Sequence, residues 1–203
     1  MPAVVTLIST PKLRRSHEKT AQYLGRLKYE ALFLNFSREL EEYIRLLAEG
    51  LPYSHVIAEI RRNRLIPEAV VGNWEYYAEP ILKKIENLKN AKPNVSLHCY
   101  GMPAYEHISA QLSVKIALQT FRSMTTGKVD VKAWRSLLEE EVKISLEASE
   151  DEAEWVSSRA SKYSRCACIS ETSNPVFSER LKEMGIKVKI LNVEPEYLSL
   201  IHI

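Results

Sequence analysis

Val4 to Ile8 is a β-branched, apolar run that stops at Ser9-Thr10-Pro11, which predicts a buried strand leaving into a loop. Ala31 to Phe36, Val95 to Tyr100, Cys166 to Ser170 and Ile186 to Val193 predict four more strands. Between them, apolar positions recur at helical spacing. Ser16 to Leu27 sets Thr20, Tyr23, Leu24 and Leu27 on one side of a helix. Ser37 reads as the N-cap of the next helix, with Glu41 and Glu42 in its first turns and Gly50 as its C-terminal cap. A short helix around Ser54 to Arg62 follows, then a longer one over Asn73 to Asn90, interrupted by Pro80. Ala104 to Met124 carries Ile108, Leu112 and Ile116 on one face and Val114, Leu118 and Phe121 on another, which predicts a helix buried between layers. Val131 to Ala148 and Glu150 to Lys162 read as two helices parted by a Ser-Glu-Asp boundary. Asn174-Pro175 opens a last helix to Met184, and Gly185 closes it.

Strands alternating with helices predict an α/β fold: a mainly parallel sheet of four to five strands, flanked by helices and joined by right-handed crossovers. Residues 101 to 164 are almost purely helical, so they form either a cap over the sheet edge or a long crossover. A chain of 203 residues suits a single domain that contains this helical insertion. The sequence holds no internal repeat and no low-complexity segment.

Composition narrows the class. With 45% hydrophobic and 27% charged residues, the chain is neither disordered nor collagen-like nor a small disulfide scaffold. Three cysteines, an odd number, fit a reducing cytoplasm better than a secreted framework. The apolar runs are too short to span a bilayer, and the opening MPAVVTLIST does not read as a signal peptide. High charge, few glycines and short loops fit a thermophilic source. A formal charge of +2 selects no partner, but its distribution is uneven. Met1 to Leu65 holds 11 Lys/Arg against 7 Asp/Glu, and Asp130 to Trp155 holds 3 against 9. Either both regions are solvated helix faces, or they attract each other within the molecule or between copies. The run Arg61, Arg62, Arg64 is too short for a nucleic-acid surface.

In an open parallel sheet, ligands bind beyond the carboxyl ends of the strands. That rule nominates Ser9, Thr10 and Lys12; then Asn35, Ser37, Arg38 and Glu39; then Tyr100, Glu106 and His107; then Ser170 to Asn174, including Glu171; and finally Asn192 and Glu194. The competing reading is that they are turn and cap residues. Glu106-His107 is the best acid/base candidate, because it opens a helix near that rim. The five histidines form no HxH, HExxH or HxxxH pair, so no metal site is read from spacing. No GxGxxG, GxxxxGK[ST] or GxSxG occurs, which argues against a P-loop enzyme, the usual dinucleotide fold and an α/β-hydrolase. Cys166 and Cys168 share a strand face, and Cys99 lies on a strand of the same sheet, so three thiols can approach one another or simply be buried. Trp74, Tyr76 and Tyr77 either stack on a ligand or join the core.

Three segments resemble the TraB, ChaN and erythromycin-esterase-like superfamily. VVTLISTPKLRRSHEKTAQYLGRLKYEALFLNF resembles the family opening, a strand ending in G-x-x-H before a helix and a second strand. NFSRELEEYIRLL resembles its E-x-x-R and the helix after it, and CACISETSNPVFSERLKEMGIKVKILNVE its closing strand, turn, helix and last strand. The motif residues are largely replaced. The first motif falls on Ser9 to Lys12, so its Gly and His are Ser9 and Lys12; the Glu of the second is Asn35, and Arg38 alone matches. At the closing turn, Glu171 to Asn174 stand where a Gly and a His belong. The resemblance implies an α/β fold and, in the members that hydrolyse peptides or esters, chemistry carried by those His and Glu residues, in some cases through a divalent metal. A Lys is no neutral imidazole and an Asn no general base, so the resemblance here implies a retained fold with altered chemistry.

Three functional readings follow. The first is a non-catalytic ligand-binding or regulatory protein, with Ser9, Lys12, Asn35 and Arg38 holding a small anionic ligand and no resident cofactor. The second is a hydrolase with a rearranged site built from Glu106, His107 and Glu171, acting as acid and base or as ligands to a divalent metal. The third is an assembly protein whose acidic helical region, with Trp134 and Trp155, binds a basic protein partner or another copy as a homo-oligomer.

Overall fold

The computed structural model describes residues 3–170 and 175–193, apart from the side chain of Glu106. The five expected strands form: β1 (Val4–Ser9), β2 (Ala31–Ser37), β3 (Ser96–Gly101), β4 (Arg165–Ser170) and β5 (Lys187–Asn192). They make one sheet in the order β3-β2-β4-β1-β5, and every paired neighbour runs parallel. The chain therefore folds as an α/β protein with a parallel sheet flanked by helices.

The strand order dictates two helical layers. The links β1 to β2 and β2 to β3 step toward the β3 edge, and the links β3 to β4 and β4 to β5 step the other way. Right-handed crossovers then put the first set of helices on one face and the second set on the other. The first layer holds α1 (Arg14–Arg26), α2 (Glu41–Ala48), α3 (Tyr53–Arg62), α4 (Glu68–Glu86) and α5 (Leu88–Ala91). Its core gathers Leu32, Leu34, Phe36 and Ile169 from the sheet with Leu24, Ile44, Ile60, Trp74 and Ile81. The second layer holds α6 (Pro103–Thr126), α7 (Val131–Ala160) and α8 (Pro175–Glu183). Its core gathers Val5, Leu7, Phe33, Tyr100 and Cys168 with Val156, Phe177 and Leu181. Alternate residues of each strand serve opposite layers, as the pleat requires.

Several helices differ from their sequence-based expectation. Ser37 ends β2 and makes no capping bond; a turn of 3-10 helix, Arg38–Leu40, leads into α2. Gly50 does close α2: at φ 104° its N–H reaches the Leu47 carbonyl while the Leu51 N–H reaches Leu46. Pro80 does not interrupt α4, which runs from Glu68 through it to Glu86. The Ser-Glu-Asp boundary is no boundary, because α7 continues unbroken for 30 residues. Ser149 is buried there and donates its hydroxyl to the Ser145 carbonyl, so a helix interior satisfies it. The largest departure is α6. It is not buried between layers: Leu112 is covered, but Ile108, Val114, Leu118 and Phe121 are exposed, the last two at 64% and 67%. Beyond its first turns it pairs with α7 in an antiparallel arm, joined at Gly127 (φ 65°) and capped by the Asp130 carboxylate, which accepts the Ala133 N–H.

Gly101 marks where β2 and β3 press together. Their register shifts between Leu34 and Ser37, and a Cβ on Gly101 would meet the Phe36 carbonyl oxygen at 2.8 Å. Backbone cannot yield as a side chain can. Gly101→Ala is expected to lower stability by about 1–3 kcal/mol in urea denaturation; an unchanged midpoint would contradict this close approach.

Candidate functional site

The site begins where two central strands separate. β2 and β4 pair only over Ala31–Phe33 and Cys166–Cys168. Beyond that, β4 stays on β1 as far as Ser9↔Ser170, and the Thr10 N–H bonds the Ser170 carbonyl. β2 follows β3 instead. The chain leaves β2 toward one edge and leaves β4 toward the other, so a crevice opens between their carboxyl ends. Tyr100 spans the gap from β3: its hydroxyl donates to the Ile169 carbonyl at 2.6 Å, and its ring stacks on Phe177 at 5.4 Å.

Two cavities occupy this crevice. The inner one, of about 30 Å³, is lined by Thr10, Lys12, His17, Asn35, Tyr77 and Ser170 over an apolar base of Leu34, Ile81 and Ile169. It has room for one or two waters. The outer cleft, of about 420 Å³, falls in the range that holds a small molecule. Lys12, Asn35 and Ser170 belong to both. Above Tyr100 and Phe177, the helical arm walls the cleft with Tyr105 and Ser109 from α6 and Glu141, Ser145, Ser149 and Glu152 from α7. One end thus carries an ammonium, an amide and a hydroxyl, and the other carries two carboxylates.

His17 is the residue that sequence reasoning missed. It is 6% exposed, on a buried α1 face with Ser16, Thr20 and Leu24. Burial, with the Lys12 charge adding to it, pushes its imidazole down to about 4, so it is neutral near pH 7. Its ring meets Tyr77 edge-on at 5.2 Å, and its Nδ1 has no hydrogen-bond partner among the described residues. One helical turn on, Thr20 shares a 2.8 Å hydroxyl contact with Thr10. The signal in the sequence was the His17, Thr20, Leu24 spacing, which is a helix face with polar members rather than a solvated one.

The structure sorts the nominated residues. Lys12 and Asn35 meet at the crevice. Ser9 is buried at the end of β1, where its carbonyl accepts the Val193 N–H, and it lines neither cavity. Arg38 also lies outside both: its Nε donates to the Tyr100 carbonyl at 3.2 Å, its Nη2 pairs with Asp151, and it covers the Trp155 ring. It ties the β2 end to α7. His107 is exposed on α6 and lines neither cavity, so the helix start it marks is not a buried one. Glu171 and Glu194 lie outside the described residues, as does the side chain of Glu106. The thiols do not converge: Cys166 and Cys168 face the α7 and α8 layer, and Cys99 faces the other. Burial raises all three, Cys166 to about 12, so none is a thiolate near neutral pH. Trp74 belongs to the core, Tyr77 lines the inner cavity and Tyr76 is exposed. Among the described residues, no three His, Cys, Asp or Glu side chains gather as a metal site, and no helix is long and apolar enough to cross a membrane.

A second polar cluster lies at the β3 edge. The Tyr163 hydroxyl is 3.1 Å from His98 Nε2, and Glu41 Oε1 is 3.8 Å from His98 Nδ1, too long for a hydrogen bond. The other Glu41 oxygen accepts the Cys99 N–H at 2.9 Å. Burial would raise Glu41, but the interactions with His98 and the Cys99 N–H outweigh it and hold the carboxyl below its ordinary range. Neither cavity of the crevice includes a residue of this cluster. It covers the outward N–H of an edge strand, which is a structural task.

Comparison with protein-family models, with curated proteins and with solved structures finds no match.

Proposed function

We propose that this chain is a ligand-binding protein that holds a small polar molecule in the crevice between β2 and β4. The observation that carries the reading is the cleft of about 420 Å³ at the topological switch point, with Lys12, Asn35 and Ser170 at the strand ends. Two of these stand where the resembling family has its His and Glu: Lys12 and Asn35 replace a base and an acid with a fixed cation and a neutral amide. That exchange favours holding an anionic group over moving a proton. The opposite wall adds a second requirement. Glu141 and Glu152 disfavour a purely anionic guest, so the ligand carries an anionic group at the strand end and amino or hydroxyl donors toward α7.

The test is isothermal titration of the wild-type protein, Lys12→Ala and Glu141→Gln with zwitterionic amino acids, simple dicarboxylates and inorganic phosphate. A zwitterion is expected to bind wild type best, and Lys12→Ala to weaken it by roughly 10- to 100-fold. Glu141→Gln is expected to narrow the preference over dicarboxylates. Equal affinity in wild type and Lys12→Ala, or no binding by any of the three classes, would overturn the reading.

A further inference from the structure

Most of the exposed large apolar side chains of the described chain lie on the arm formed by α6 and α7. On α7, Val131, Leu138, Val142 and Leu146 form a stripe on the side turned away from α6, and all four are exposed. Leu138, Val142 and Leu146 line an open apolar groove, and the polar residues on its border are Glu139, Lys143 and Glu147. One turn earlier on the same border comes Arg135, so the row reads Arg135, Glu139, Lys143, Glu147 at steps of four.

That row is complementary to its own reverse. Read backwards it is Glu, Lys, Glu, Arg, so an antiparallel second copy sets Arg135 against Glu147 and Glu139 against Lys143, each twice. Placing a two-fold axis beside Glu141 satisfies all four pairs. The same axis spaces the apolar side chains evenly. At about 1.5 Å rise per residue, Leu138, Val142 and Leu146 of one copy fall between those of the other, about 3 Å apart along the helix. Charge and packing choose the same register independently. A two-fold axis also keeps the charged rows of both helices on the same flank, as pairing requires.

We infer that two copies of this chain associate antiparallel through the outer face of α7. The interface is a two-helix contact with Leu138, Val142 and Leu146 at its centre and the Arg135–Glu147 row along one flank. Val142 and Leu146 also line the outer cleft, so the interface borders the cleft's rim; sedimentation of the ligand-free protein reads the dimer whatever the cleft binds.

The test is sedimentation equilibrium of the full chain with variants confined to exposed positions, and circular dichroism to show that each retains its helices. Wild type is expected to be a dimer, and Val142→Asp a monomer. Glu139→Lys alone, or Lys143→Glu alone, sets like charges opposite each other at two symmetric places and is expected to weaken the dimer at least about tenfold. Glu139→Lys combined with Lys143→Glu restores opposite signs across the axis and is expected to restore the wild-type constant. A monomeric wild type, a dimer indifferent to Val142→Asp, or a double variant no better than the singles would each overturn the inference. A monomer that captures some other protein on this face would overturn it as well.

Discussion

Phe33→Ala is expected to remove about 3–5 kcal/mol of stability. Phe33 is fully buried in the middle of β2, on the α7 side of the sheet. Its ring centre lies 5.2 Å from His98 and 6.4 Å from Trp155, so it joins β2, β3 and α7 at one point. It is also the last residue of β2 still paired with β4, opposite Cys168. Truncation leaves a cavity at the base of the crevice, where the two strands have no further rungs to hold them. Guanidinium denaturation followed by tryptophan fluorescence would read the loss. Phe33→Leu keeps most of the volume and is expected to lose less than half as much. A Phe33→Ala midpoint within about 1 kcal/mol of wild type would contradict this packing.

Acid is expected to destabilise the protein through His17 well before the carboxylates titrate. The imidazole ordinarily titrates at 6.5 and is pushed down to about 4 in the fold. Between these values the unfolded chain takes up a proton that the native state refuses. Stability from this group is therefore complete above pH 6.5, falls as pH drops, and levels off below pH 4. Each pH unit of that interval is worth about 1.4 kcal/mol, so the full loss is about 3 kcal/mol. His17→Met fills similar space and cannot titrate. The stability difference between wild type and His17→Met, measured from pH 7.5 to 4, should carry this slope. A flat difference would show that His17 is solvated or paired.

The sheet was legible because each strand holds a short, largely apolar run bounded by Pro, Gly or Ser, with β-branched residues concentrated in β1. β1, β2 and β4, buried on both faces, leave that mark most fully, and the edge strand β5 mixes it with exposed lysines. The order itself was not legible. Nothing in Val4 to Ile8 says that β4 and β5, rather than β2, flank it. The helices show the same limit. Periodicity revealed two apolar faces on α6, but it does not say what covers a face, and here one of them is open. The break read at Ser149 to Asp151 rested on polar residues that the fold satisfies, Ser149 within the helix and Asp151 through Arg38. At the site, the rule about strand ends found Lys12 and Asn35 because it depends only on where strands stop. It missed His17, which enters the crevice from the side of α1, and it nominated Arg38, whose guanidinium is taken by α7 and the Tyr100 carbonyl.

The position of β1 has a consequence for how the molecule is made. Among the described residues its strand neighbours are β4 and β5, which come from residues 165–192, while β2, β3 and the first helical layer come from residues 14–101. On the ribosome that layer can collapse around Ile44, Ile60 and Ile81 as soon as it emerges. The first strand cannot join it; it must wait, unpaired, until residues from the far side of the α6–α7 arm are translated. The centre of the sheet is thus the last place to close, by the longest-range contacts in the chain, and the rate of that closure sets how long a bare apolar strand is offered to chaperones and to other nascent chains.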